Sequence, residues 1–257
     1  MPLKIKAYLK TVLNSILNKR GYSIVLSGDI SNSDFHKTQL IDECLGLLKH
    51  IQFSPNHIVD IGANHGTWTR HALNYFPDAK YTMIDPQKWL QPSFQDILDK
   101  NKNVKFYPVG VGEHSGTFMF TMHERDDSRN FSMTKEIAQA RGFDQIELPV
   151  ITLNDLIGAN NLTAPDLIKI DAEGLDIEVL KGATNFLGLT EVIFVEAGVM
   201  SKGIKNDVLS VVQFMDANGY RLFDITDLNK PHNVSLLWLV ELVFIKRGGY
   251  IDNLKIV

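Results

Sequence analysis

The sequence predicts a doubly wound α/β domain: a seven-stranded sheet ending in an antiparallel hairpin, with helices added at the N-terminus. Three observations carry this expectation. From His57 onward, short apolar runs alternate with helical patterns, as in a parallel sheet with crossover helices. The first run, Ile58-Val59-Asp60-Ile61-Gly62-Ala63-Asn64-His65-Gly66, ends in an acidic residue and a glycine turn that feeds a helix near Thr67. A long apolar run at 236–245 follows a loop through Pro231, as a buried last strand paired with the strand that starts at Gly219-Tyr220 would require.

Taken in order, residues 3–20 place Leu3, Ile5, Leu9, Val12, Leu13, Ile16 and Leu17 among Lys4, Lys6, Lys10, Lys19 and Arg20, an amphipathic basic helix. Such a helix packs on its own domain, docks a partner or makes peripheral contact with an anionic membrane. A second helix is expected over 34–51, capped by Ser33 or Asp34. Strands are expected near 57–61, 80–84, 103–109, 166–170 and 191–196, and helices near 67–76, 87–100, 174–186 and 205–218. Residues 110–150 break the alternation: two short strands, at 117–121 and 146–150, flank a polar insert. An insert of that length is more often functional than filler. The expected organisation is an N-terminal helical extension at 1–52 and one domain at 53–257, with 112–150 as an acceptor-binding region.

A chain of 257 residues with 44% hydrophobic content buries a full core. Its net charge of −4 gives no basic signature, so nucleic acid is not an expected partner. The single cysteine, Cys44, excludes an intrachain disulfide framework and reads as a buried structural thiol. No apolar stretch approaches the roughly 20 residues of a membrane span, and no secretory signal is evident. A cytoplasmic, reducing location is the expectation; the sequence leaves the oligomeric state open.

The glycine turn differs from a dinucleotide site, which uses G-x-G-x-x-G. Here Gly62 and Gly66 flank Asn64, and Thr69 stands where a third glycine would be sought. Asp85 closes the second strand in Met83-Ile84-Asp85-Pro86, where a carboxylate accepts hydrogen bonds from both hydroxyls of a ribose. Asp60 is read as orienting the turn and a cofactor amino group, and Val109-Gly110-Val111 as flanking an adenine. The pattern D-x-G-x-N-x-G resembles motif I of the class I S-adenosylmethionine methyltransferases. That resemblance implies Asp60, Gly62, Ala63, Asn64, Gly66, Asp85, Val111 and Asp171 as cofactor-binding residues.

A second segment runs Asp166-Leu167-Ile168-Lys169-Ile170-Asp171-Ala172-Glu173-Gly174-Leu175-Asp176-Ile177-Glu178-Val179-Leu180-Lys181-Gly182-Ala183. A buried strand delivers Asp171 and Glu173 to the carboxyl edge of the sheet, and a helix leaves from Gly174. D-I-G-A-N-H-G, I-D-P, T-L-N-D-L at 152–156 and K-I-D-A-E-G-L-D-I-E-V-L-K-G-A together resemble the FkbM family of S-adenosylmethionine-dependent methyltransferases over residues 56–222. Two departures are mild: Asp85 where the family commonly has Glu, and Asn154 where Asp is usual. The resemblance implies methylation of a hydroxyl oxygen on sugars, glycolipids or polyketides. The basic N-terminus followed by Arg20-Gly21-Tyr22 is similar to members associated with surface polysaccharide synthesis.

Methyl transfer from a sulfonium is an in-line displacement, so positioning supplies much of the catalysis, and a hydroxyl nucleophile benefits from a base. Asp171 and Glu173 are the candidate catalytic carboxylates, with Glu196, at the end of Val192-Ile193-Phe194-Val195-Glu196, beside them. Mutual repulsion would raise the pKa of one of them. The alternatives are a helix cap at Gly174, a pair with Lys169, or a divalent cation held by the same carboxylates; no residue set is assigned to a metal. His65, His114, His123, Arg125 and Arg129 are candidates for substrate contacts or plain surface residues. D-A-E-G replaces the N-P-P-Y type of tetrapeptide, against amino acceptors. Competing readings are a methyltransferase for a polyketide, peptide or phosphate-derived oxygen, and an NAD-dependent oxidoreductase. The missing third glycine counts against the latter.

Overall fold

The computed structural model describes residues 32–122, 135–200, 205–230 and 236–254. The expected basic helix at 3–20, together with His123, Arg125, Arg129 and Pro231, lies outside them. In chain order the elements are α1 (Asn32–His50), β1 (His57–Ile61), α2 (Thr67–Tyr75), β2 (Lys80–Ile84), a 3₁₀ segment (Lys88–Phe94), α3 (Gln95–Lys100), β3 (Val104–Tyr107), β4 (Gly110–Val111) and β5 (Gly116–Met122). There follow α4 (Lys135–Ala140), β6 (Asp144–Ile151), α5 (Leu153–Ala159), β7 (Leu167–Ile170), α6 (Asp176–Lys181), β8 (Val192–Gly198), α7 (Val208–Ala217), β9 (Tyr220–Asn229) and β10 (Leu239–Lys246).

Seven strands form one sheet in the order β3-β2-β1-β7-β8-β10-β9. The first five pair in parallel, whereas β10 runs antiparallel to both β8 and β9. β1 and β7 are buried at every position, on both faces of the sheet, which is why they read as mostly apolar runs, with His57, Asp60 and Lys169 as buried exceptions. One face packs against α1, α2 and α3 through Ile58, Tyr81, Leu167, Phe194 and Val243. The other packs against α5, α6 and α7 through Val59, Ile61, Ile168, Ile170 and Val195. Helix α1 belongs to the first layer: Cys44, Leu45 and Leu48 are fully buried in it, and burial pushes the Cys44 thiol pKa up.

Three expected elements differ in detail. The helix expected over 87–100 is a 3₁₀ segment followed by a six-residue helix, because Pro92 lacks the N–H an α-helix interior needs. The helix expected over 174–186 is confined to α6, followed by turns. Helix α1 begins at Asn32, which puts Ser33 and Asp34 inside its first turn rather than at its cap. The two strands expected at 117–121 and 146–150 are present as an antiparallel pair, and β6 also pairs in parallel with β4, making a separate three-stranded sheet. No described helix is long and apolar enough to cross a membrane.

Candidate functional site

The chain leaves β1 toward β2 and β3 on one side, and places β7 and β8 on the other. The crevice at the carboxyl ends of β1 and β7 is therefore the switch point of the sheet. A cleft of about 400 Å³ opens there, within the usual size range of small-molecule sites. Gly62, Asn64, Asp85, Val111, Asp171 and Glu173 all line it.

The two turn glycines have backbone reasons to lack a side chain. Both are left-handed, Gly62 at φ 73° and Gly66 at φ 72°. A Cβ at Gly62 would lie 1.9 Å from the Asp171 carbonyl oxygen. At Gly66 it would lie 2.9 Å from Ile97 Cδ1 and 3.0 Å from Phe94 Cβ. The sharp turn expected from these glycines is present, and the chain itself also needs the space: Gly62, which lines the cleft, lets β1 meet the end of β7, and Gly66 lets α2 start against α3. Asn64 at φ 45° and Glu173 at φ 51° also take the left-handed conformation that few side chains adopt, and both face the cleft.

Asp85 is 3% exposed, and its two carboxylate oxygens accept separately from backbone donors: Oδ2 from Asn64 N at 2.9 Å and Oδ1 from Gln87 N at 2.8 Å. The carboxylate thus stitches the first strand's turn to the second's while keeping lone pairs for a ligand. Burial raises its pKa, against the pull of those two N–H groups.

Asp60 does not reach the cleft. It is fully buried, accepts from Thr69 Oγ1 at 2.5 Å and sits 3.4 Å from Lys169 Nζ. Lys169 is itself 3% exposed; its ammonium donates to the Gly62 carbonyl at 3.0 Å and lies 3.4 Å from Asp171 Oδ2. Burial works against its charge, but Asp171, Asp60 and Glu241 outweigh it and hold the pKa above the ordinary lysine value. One ammonium therefore ties the turn after β1 to the first carboxylate after β7. The sequence reading named Lys169 only as an ordinary pair partner; its position mid-strand between two acidic strand ends was the available signal.

The loop 171–174 is held from below by Asp176. Its carboxylate accepts from Ala172 N at 3.0 Å, Gly174 N at 3.2 Å and Asn206 Nδ2 at 2.8 Å. It is completely buried, and burial pushes its pKa up to about 7. The N-cap of α6 is Leu175, with no side-chain cap; of the alternatives foreseen for the carboxylates, the pair with Lys169 is the one present, at Asp171. The glycine of the L-K-G-A block has a similar cause: a Cβ at Gly182 would lie 2.0 Å from the Gly112 carbonyl oxygen.

Other expected residues lie elsewhere. Ala63 (3% exposed) and Gly66 pack inward, away from the cleft lining. Glu196 is half-buried on β8 opposite Glu241 of β10; its backbone carbonyl accepts from Asn206, and it does not line the cleft. His65 bonds Ser93 Oγ through Nδ1 at 2.9 Å, so its ring turns to the 3₁₀ segment. His114 does line the cleft, as do Glu113 and Glu178, two carboxylates not singled out as site residues from sequence. Among the described residues no cluster of three metal-binding side chains is present.

The fit to a sulfonium nucleoside rests on three features. Asp85 stands at the end of β2 with free lone pairs, carboxylates face the cleft at the end of β7, and an apolar wall opposes them.

A family model described as the methyltransferase FkbM domain matches residues 60–222, more than half of the chain. "Methyltransferase 1" of Beauveria bassiana is 23% identical over 164 residues, covering 57% of this chain and 65% of its own length. "2-O-methyltransferase NoeI" of Sinorhizobium fredii is 23% identical over 150 residues, covering 54% and 62%. The match thus spans less than two thirds of these relatives. Among solved structures, N-methyltransferase NodS from Bradyrhizobium japonicum has a TM-score of 0.49 at 9% identity, over 85% of this chain and 99% of that one. Precorrin-6y C5,15-methyltransferase from Geobacter metallireducens has a TM-score of 0.45 at 14% identity, over 80% and 88%. With its first-strand turn, its strand-end carboxylates and its K-G-A glycine all inside the matched span, the chain belongs to the FkbM methyltransferase family, whose cofactor is S-adenosylmethionine.

Proposed function

We propose that the protein is an O-methyltransferase acting on a hydroxyl of a sugar, in a surface polysaccharide, a glycolipid or a glycosylated metabolite. The observation that carries this reading is the meeting of Asp85 with Asp171 and Glu173 in one cleft. The first is a ribose-binding carboxylate at the end of β2; the others are candidate bases at the end of β7. S-adenosylmethionine supplies an electrophilic methyl group on a cationic sulfur. The carboxylates facing the cleft favour that cation, and a carboxylate near the acceptor takes its proton as the new C–O bond forms. Asp171 is the preferred base: its side chain is 38% exposed toward the cleft, and its Lys169 contact fixes its direction. Glu173 is the second candidate, set on a left-handed turn in the same cleft. The name of the Sinorhizobium relative, a 2-O-methyltransferase, supports oxygen as the acceptor atom. A cytoplasmic location and peripheral membrane contact through residues 1–20 complete the reading.

Calorimetry with S-adenosylmethionine, S-adenosylhomocysteine and NAD tests the cofactor side, with micromolar binding of the first two and none of NAD expected. A glycan screen with tritiated methyl donor then tests the acceptor. Incorporation into sugars that is abolished in Asp171→Asn supports the proposal. Incorporation only into amines or carboxylates overturns it. Full activity after EDTA treatment would dismiss a metal-assisted route.

A further inference from the structure

The insert at 112–150 was expected from sequence to select the acceptor. Its described part instead points to the cofactor. Strands β5 and β6 pair with Phe118 opposite Leu148, Phe120 opposite Ile146 and Gly116 opposite Val150. Alternate residues share a face, so Phe118, Phe120, Leu148 and Val150 lie together, and all four line the cleft. The opposite face is more polar, with Thr117 Oγ1 donating to Glu147 at 2.5 Å and Gln145 Nε2 to Thr121 Oγ1 at 3.0 Å.

The apolar face is anchored at the β2–β3 end of the cleft. Val150 spreads its two methyls over the turn after β3: a Cβ at Gly110 would lie 3.1 Å from Cγ2, and one at Gly112 would lie 3.1 Å from Cγ1. Phe120 packs edge-on against Trp89 at 6.3 Å between ring centres, in the segment that follows Asp85. Pro86 also lines the cleft, its Cβ 4.0 Å from the Gly110 Cβ position. A ribose held by Asp85 carries its base one bond away, and its sulfur-bearing arm on the opposite side. With the arm directed to Asp171, the base falls between Pro86, the 109–111 turn and this apolar face.

We infer that the β5–β6 hairpin forms the wall of the adenine pocket, with Phe118 and Leu148 in contact with the base, and so serves cofactor binding rather than acceptor choice. This rests on Asp85 being the ribose partner. An aromatic and a branched aliphatic side chain on a flat ring is the expected complement to adenine. Phe118 and Leu148 are only half-buried, so truncating them leaves the buried Phe120 and its contact with Trp89 in place.

The test is calorimetry with S-adenosylhomocysteine and with adenosine on Phe118→Ala, Leu148→Ala and Asp85→Asn, each checked for native thermal unfolding. Both hairpin variants are expected to lose about tenfold in affinity, and by the same factor for the two ligands, since the lost contact is to the part they share. Unchanged affinity in both hairpin variants, with Asp85→Asn weakened, overturns the inference and leaves the ribose reading intact. Unchanged affinity in Asp85→Asn removes the premise itself. A loss confined to S-adenosylhomocysteine would place the hairpin at the amino-acid end and also overturn it.

Discussion

Lys169 is the residue on which most of the site's electrostatics converge. It holds Asp60, Asp171 and the Gly62 carbonyl with one buried ammonium. Removing one partner of a buried ion pair strands the other charge, a change that costs about 3–5 kcal/mol. Lys169→Met is therefore expected to lower stability by about that amount in urea unfolding; a loss below about 1 kcal/mol would contradict this expectation. In the proposed function Asp85 and Asp171 separate by role. Asp85→Asn loses a charge-assisted acceptor for the ribose, and S-adenosylhomocysteine affinity is expected to fall about tenfold or more by calorimetry. Asp171→Asn keeps affinity within a few-fold while turnover drops about 10²- to 10⁴-fold. Equal loss of affinity in both variants would contradict that division. Asp85, Asp171 and Glu173 were legible because each closes an apolar strand run. Asp60 was legible as important but not as buried, since only the Thr69 and Lys169 contacts show which way it turns.

At the level of elements, the loop at 171–174 owes its shape to α6. Asp176 accepts three N–H groups with one carboxylate, and an amide in its place offers a single acceptor oxygen. Asp176→Asn leaves a donor unmatched and is expected to destabilise by about 1–3 kcal/mol, with turnover falling because Glu173 loses its fixed turn. Thermal unfolding together with steady-state rates at saturating donor checks both effects; unaltered rates would mean the loop is held by other contacts. The central strands were readable because burial on both faces makes them mostly apolar. The helix over 87–100 was overextended because Pro92 was passed over, and α6 was carried past its C-cap, Gly182; what requires a glycine there, the nearby Gly112 carbonyl, is remote in sequence. The backbone reason for Gly62 was hidden in the same way: Asp171 is far away in sequence.

For the whole molecule, two apolar layers sandwich a sheet whose first layer contains a buried polar seam. Along it lie Asp60, Lys169 and Glu241, the last receiving a hydrogen bond from Thr226 Oγ1 at 2.5 Å. Burial raises the Glu241 pKa to about 7. A carboxyl whose folded pKa exceeds its unfolded value binds its proton more tightly when folded. Its contribution to stability is therefore largest below about pH 4.5 and declines as pH rises toward 7. Glu241→Gln removes that decline. Between pH 5 and pH 8 the variant is expected to gain about 1–3 kcal/mol relative to the parent chain in urea unfolding. Parallel pH curves would show that Glu241 stays ionised throughout. The seven-stranded, mainly parallel sheet was foreseeable from the alternation of strand and helix. The second, three-stranded sheet was not: two of its strands were visible, but the two-residue β4 that pairs with β6 at its edge carries too little pattern to be seen.

The cleft is framed by main chain pressed against main chain: Gly62 on the Asp171 carbonyl, Gly182 on that of Gly112. No side chain sets those two spacings. If the proposed function holds, a lineage can thus replace the cleft groups that meet an acceptor without disturbing the seat of the methyl donor. The same constraint guides engineering: the two glycines should be left untouched, and diversity directed to Glu113, His114 and Glu178, where new chemistry meets no backbone obligation.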